Sequence, residues 1–157
     1  MTNNGRYSMY TKKEQKVIDH ALEIIFSKLE REPISLTSSR DTADYLQIKY
    51  GNLEHEVFIL VLLDNQHQLI AIEELFRGTI DGAAVYPREV VKTALKHNAA
   101  AVIFSHNHPS GTMEPSQADI RITNKLRTAL QTVEIRTLDH IIISAKGVTS
   151  LAERGLL

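Results

Sequence analysis

The sequence predicts an α/β (α+β) domain in which one mixed β-sheet is flanked by helices. Three observations carry this. Short apolar runs rich in β-branched and bulky residues alternate with stretches whose apolar residues recur every three or four positions. The order of these segments, α-α-β-β-α-β-α-β-β, is resolved most simply by one sheet with helices packed on it. The 157 residues suffice for one domain with a substantial core, and they contain no repeat, low-complexity tract or linker.

Residues 1–10 read as a loose start. Thr11-Lys12-Lys13-Glu14 is a capping box, and Val17, Ala21, Ile24, Ile25 and Leu29 follow helical spacing up to a stop before Pro33. Residues 1–34 are thus expected to be a flexible start and one helix, packed on or beside a domain over 35–157. A short helix is expected after Ser38, with Ala43, Leu46 and Tyr50 on one side and Gly51 at its end. Glu56–Leu63 is nearly continuously apolar, as a buried strand should be. Asp64-Asn65-Gln66-His67 is a turn, and Leu69–Phe76 completes a hairpin. Gly78–Tyr86 reads as a loop with room for a short strand. Pro87 suits the first position of a helix whose expected buried face is Val91, Ala94 and Leu95, with Asn98 as its stop. Ala99–Phe104 is a short central strand. Ser116 opens a helix carrying Ile122, Leu126, Ala129, Leu130 and Val133. Asp139–Ser144 is a strand, Lys146-Gly147 a turn, and Val148–Leu151 a last strand.

The composition narrows the function. With 18 basic and 19 acidic residues the net charge is -1, which argues against a dedicated nucleic-acid binder. There is no cysteine, so disulfides, thiolate metal sites and cysteine nucleophiles are ruled out. No apolar run approaches the roughly 18 residues of a membrane span, and the first thirty residues lack the apolar centre of a signal peptide. A cytoplasmic protein without membrane attachment is expected.

The densest chemistry lies in Ser105-His106-Asn107-His108-Pro109-Ser110-Gly111, followed by Ser116 and Asp119: H-x-H, seven residues, then S-x-x-D. In an extended segment His106 and His108 project to one face and Asn107 to the other. Asp119 falls in the first turn of the following helix, where the helix N-terminus favours an ionised carboxylate. Two imidazoles and a carboxylate close three corners of a tetrahedral zinc site and leave the fourth open, as in catalytic sites. H-x-H alone, or the S-x-x-D cap alone, would be an ordinary structural feature. Their combination with a strand end and a chain reversal points to one zinc ion per chain. A general base is also needed, and Glu56, where the strongest apolar strand leaves solvent, is the candidate. Glu54 has the same parity and is its rival. His140 reads more readily as a satisfied structural histidine than as a partner of the metal site. Arg88 and Glu89 read as surface residues, and Arg121, Lys125 and Arg127 as a solvated basic face. His20, His55, His67 and His97 have no ligand-like spacing.

These residues resemble the signature of the RadC family, which carries a JAMM (MPN+) metalloprotease motif, E…H-x-H-x7-S-x-x-D. The similarity covers about 35–157, through Glu56-Val57-Phe58, Phe76-Arg77-Gly78-Thr79, Pro87-Arg88-Glu89-Val90-Val91, the HNHPSG run, Pro115-Ser116, Asp119 and Leu138-Asp139-His140. The resemblance implies a JAMM/MPN fold, similar to cytidine deaminases. It makes His106, His108 and Asp119 zinc ligands, Glu56 the residue acting on the catalytic water, and Ser116 the hydroxyl that stabilises the oxyanion. About 35 residues precede the domain, too few for the helix-hairpin-helix-like region of longer RadC proteins, so the chain resembles the short RadC-like proteins.

The leading expectation is therefore a zinc-dependent hydrolase of peptide or isopeptide bonds, with a peptide or protein substrate. The alternatives are a zinc-stabilised binding module without catalysis and a DNA-associated factor, as the family's label suggests. The second is disfavoured by neutral charge and the missing hairpin region. A zinc nucleobase deaminase would need cysteine ligands. Residues 64–68 and 77–86 are where substrate contacts are expected, and the amphipathic N-terminal helix leaves room for a homo-oligomer.

Overall fold

A computed structural model describes residues 10–31, 40–78 and 85–157. Its elements are α1 (Lys12–Arg31), α2 (Arg40–Tyr50), β1 (Val57–Leu63), β2 (Leu69–Arg77), α3 (Pro87–Lys96), β3 (Ala101–Asn107), α4 (Gln117–Thr132), β4 (Arg136–Ser144) and β5 (Gly147–Ser150). The five strands form one mixed sheet in the order β2-β1-β3-β4-β5. β1 runs antiparallel to β2 and β3, β3 runs parallel to β4, and β5 turns back antiparallel on β4. The single parallel pair needs a crossover, and α4 supplies it.

Both faces of the sheet are covered, which is why β1 is apolar at every position. One face packs Val57, Ile59, Val61, Leu63, Ala101, Ile103, Ile141 and Ile143 against Leu46 and Tyr50 of α2 and Leu22 of α1. The other packs Phe58, Leu60, Leu62, Val102 and Phe104 against Val90 and Ala94 of α3 and Leu126 and Leu130 of α4. Strand parity thus assigns every β1 and β3 side chain to one helix pair or the other.

The expected elements are present in the expected order, with local differences. β3 begins at Ala101, not Ala99, and continues through Asn107, so His106 lies inside the strand. β4 begins at Arg136, three residues earlier than expected, because Arg136 and Thr137 pair in parallel with Ala101 and Val102 at the start of β3. On α1 the buried stripe is Ile18, Leu22, Ile25 and Phe26, whereas Val17 is 65% exposed and Ile24 also faces outward. On α3, Leu95 is 55% exposed and Val90 takes the buried position. In both helices apolar residues occupy neighbouring stripes, and the helix rotates to bury the one that meets the sheet. Asn98 does follow α3, in the left-handed region at φ 51°, where asparagine is tolerated. The expected stop before Pro33, the start near Ser38, the 34/35 boundary, the loop over 79–84 and the side chain of Leu29 lie outside the described residues. Among the described residues no helix is long and apolar enough to cross a membrane.

Candidate metal centre

The centre forms where β3 leaves the sheet and α4 begins. His106 is in register with Phe58 of β1 and Ile142 of β4. The His108 amide donates to the Ile143 carbonyl at 2.8 Å, so the extended path continues one residue past the strand. His106 and His108 consequently share the face of Val102 and Phe104. The chain then reverses: the Gly111 amide donates to the His108 carbonyl at 3.0 Å, with Gly111 at φ 79°, a conformation that favours glycine. Ser116 caps α4. Its hydroxyl accepts from the Asp119 amide at 3.1 Å, and its own amide donates to Asp119 Oδ2 at 2.6 Å. This reciprocal capping box fixes Asp119 in the first helical turn, facing the histidines.

Three possible ligand atoms meet there. His106 Nε2 and His108 Nε2 are 2.8 Å apart, and they lie 3.2 Å from Asp119 Oδ1 and 3.6 Å from Asp119 Oδ2, respectively. Tetrahedral geometry with metal–ligand bonds of 2.0–2.1 Å would place ligand atoms roughly 3.3 Å apart. The three distances bracket that value. His106 and Asp119 are buried and His108 is half-buried, so the cluster is closed on the protein side and opens past His108. These residues could hold a metal ion.

The hydrogen bonds around the cluster make it electron-rich. His108 Nδ1 lies 2.8 Å from the Thr112 carbonyl oxygen, which can only accept, so Nδ1 carries a proton. In the neutral ring Nε2 then presents a lone pair. Hydrogen bonding to Asp119 raises the pKa of His108 above its ordinary 6.5 against the opposing effect of burial, helped by the Thr112 carbonyl and the charges of Asp119 and Glu56. Burial pushes the Asp119 carboxyl up, but hydrogen bonds from His106 and His108 in their protonated forms, the charge of a protonated His106 and a bond from Ser116 outweigh it and hold the group far below the carboxylate range. A protonated His108 beside ionised Asp119 occupies the same electrostatic place as a bound cation.

Glu56 directly precedes β1 and has the parity of Phe58, so it belongs to the histidine face. Its charge acts on His108, whereas its rival Glu54 is exposed. The backbone around Glu56 is held by a residue from the opposite face. Asn107 Oδ1 accepts from the Val57 amide at 2.7 Å, and Asn107 Nδ2 donates to the His55 carbonyl at 3.0 Å. The Glu56 carbonyl itself accepts from Gly78 at 2.9 Å, and Gly78 sits at φ 134°. Ser116 is exposed at the rim, and because its oxygen accepts from Asp119 its hydroxyl proton can be donated elsewhere.

His140 meets the site directly: its Nε2 lies 2.8 Å from His106 Nδ1. It is fully buried, and Phe58 and Phe104 stand edge-on to it at 5.7 and 5.8 Å. Burial pushes its pKa well below the ordinary 6.5, with charge on His106 and His108 acting in the same sense and Asp119 opposing. The sequence favoured a structural histidine; the structure makes it a satisfied one that touches a candidate ligand. Parallel pairing was the missing signal, since Phe104 registers with His140 and gives it the parity of His106. Asn107 and Thr123 were also missed from the sequence, although Thr123, whose hydroxyl oxygen lies within hydrogen-bond distance of His140 Nδ1, lies one helical turn after Asp119. Arg88 is exposed and pairs with Glu89 at 3.7 Å. Residues 64–68 lie at the far end of β1, where Leu63 pairs with Ala101, roughly 17 Å along the strand from the centre. That segment lies away from the centre. Arg77 and Gly78 lie at the correct end, beside Val57 and Glu56.

A mixed sheet flanked by helices, with a His-His-Asp cluster where a central strand gives way to a helix, defines a JAB/MPN-type domain. The chain belongs to the RadC family: a family model described as a RadC-like JAB domain matches residues 36–156. Two Vibrio cholerae relatives, each named only as a UPF0758 protein, are similar over most of their length. One is 53% identical over 144 residues, covering 92% of this chain and 90% of its own. The other is 51% identical over 158 residues, covering 98% and 99%. A UPF0758 protein of Marinobacter nauticus is 61% identical over 122 residues, which are 78% of this chain and 54% of the relative.

Proposed function

We propose that this domain is a zinc-dependent hydrolase of peptide or isopeptide bonds. The observation that carries the reading is the meeting of two imidazole Nε2 atoms with one ionised carboxylate, with Glu56 close enough for its charge to act on His108. Two nitrogens and one oxygen favour zinc over magnesium or calcium, which take all-oxygen sites. Bound there, zinc would supply Lewis acidity, acidifying a water molecule and polarising a carbonyl oxygen.

The protein's own groups do the rest. Glu56 takes the proton of the attacking water and passes it to the leaving amine. The Ser116 hydroxyl donates to the oxygen on which charge develops. Asn107 holds both peptide neighbours of Glu56 and so fixes the backbone that carries the carboxylate. JAB-family membership is compatible with this chemistry, and the names of the relatives add nothing on substrate.

The test begins with the metal content of protein purified without added metal. About one zinc per chain, lost in His106→Ala and Asp119→Ala, is expected. Glu56→Gln should keep the zinc and cleave a peptide or isopeptide library about 10²–10⁴-fold more slowly. Full turnover in Glu56→Gln would sink the mechanism, and equal zinc uptake by all variants would sink the site.

A further inference from the structure

We propose that Thr123 and His140 are positioning residues that fix the tautomer of His106 and so aim the lone pair of its Nε2 at the metal position. This rests on the metal-binding reading above and adds the device that makes one ligand competent.

A threonine hydroxyl has one proton to give. Thr123 Oγ1 lies 2.6 Å from the Asp119 main-chain carbonyl, which can only accept, so the proton goes there. The oxygen must then accept from His140 Nδ1, 2.5 Å away. With its proton on Nδ1, neutral His140 presents a bare Nε2. His106 Nδ1, at 2.8 Å, must supply the proton for that contact. His106 therefore carries its proton on Nδ1, and Nε2 is bare where it meets His108 and Asp119.

Reversing the chain would put the His106 proton on Nε2, aimed into the cluster, where it would block a cation. The reversal is available in principle because two imidazoles can pass protons either way. Thr123 removes the ambiguity through its second partner on α4. The relay is sealed as well: His106, Thr123 and His140 are buried, and Phe58 stacks against His106 while Phe58 and Phe104 flank His140.

The test uses the full chain. Thr123→Val keeps the shape of the side chain and deletes the hydroxyl, and Thr123→Ser restores it. The first readout is the ¹⁵N chemical shifts of His106 and His140 in metal-free protein at alkaline pH, which distinguish the tautomers. The second is zinc affinity by competition with a chelator. In wild type and Thr123→Ser both rings should carry the proton on Nδ1. In Thr123→Val the proton should move to Nε2 of His140 and His106, and zinc should bind roughly 10–100-fold more weakly. Unchanged tautomers in Thr123→Val would overturn the relay, and switched tautomers with unchanged zinc affinity would overturn its purpose. If wild type takes up no zinc the hydrolase reading fails, and the tautomers still decide whether Thr123 orients the pair.

Discussion

The two faces of β3 carry polar residues at the same level and use them in opposite ways. On the α1/α2 side, Ser105 donates to the Ile141 carbonyl at 2.8 Å, and Asn107 both donates and accepts across to the residues around Glu56. Each of these groups finds a complementary partner inside the protein. On the α3/α4 side, His106 Nε2, His108 Nε2 and the Asp119 carboxylate converge, and with the proposed tautomers they direct acceptors at one another while the protons of both rings are engaged elsewhere. Burial is similar on the two faces, so it does not tell a structural polar residue from a ligand. The sign of the converging groups does: matched donors and acceptors close a network, whereas acceptors facing acceptors call for a cation.

Asp119→Asn should break that contrast most severely. The amide can keep the cap on Ser116 through its oxygen, so α4 should survive, but the negative charge facing the two imidazoles is gone. Zinc uptake should become undetectable at concentrations that saturate wild type, with little loss of helix by circular dichroism. Tight zinc binding by this variant would show that the carboxylate is only a cap.

Proton competition is the next largest effect. Zinc must displace the proton of His108, whose pKa is raised above 6.5. Below that raised value zinc affinity should fall about tenfold per pH unit, one proton's worth. The stability of metal-free protein should move the other way. His108, with a raised pKa, contributes stability that is present below 6.5 and lost as pH rises through the raised value. Asp119, with a lowered pKa, contributes stability that is present above its ordinary 3.8 and lost as pH falls through the lowered value. The pair thus favours metal-free protein between about pH 4 and 6.5, and excess zinc should shift the optimum upward. Urea midpoints against pH, with and without zinc, check this. Coincident optima would mean that zinc and the proton do not compete.

How far the sequence could be read follows from sequence distance. His106, His108 and Asp119 lie within fourteen residues, so one strand, one turn and one helix cap determine their meeting and the motif is legible. The relay joins residues 34 and 17 apart, and Asn107 reaches across 50. Those contacts exist only after β3 pairs with β1 and β4 in the correct register, which no local pattern states. The sheet was legible because β1 and β3 are apolar on both faces. The turn of α1 and α3 about their own axes was not, since Val17 and Leu95 are as apolar as the residues buried in their place. Glu56 is intermediate: its parity was readable, its hold by Asn107 was not.

Asn107 gives the sharpest test of the far face. Asn107→Ala removes the partners of the Val57 amide and the His55 carbonyl, at about 1–3 kcal/mol each, and water at the sheet's end recovers part of that. A loss of about 3 kcal/mol in urea unfolding is expected, with zinc affinity near that of wild type, because the histidines keep their own contacts. Ser105→Ala is the smaller companion. It deletes one hydrogen bond to a carbonyl of β4, worth about 1 kcal/mol, and Ser105 adjoins His106 along the chain. If the faces are independent, neither variant should weaken zinc binding. A drop in zinc affinity in Ser105→Ala, without one in Asn107→Ala, would mean that the backbone beside His106 transmits strain across the strand, and parity alone would no longer separate scaffold from site.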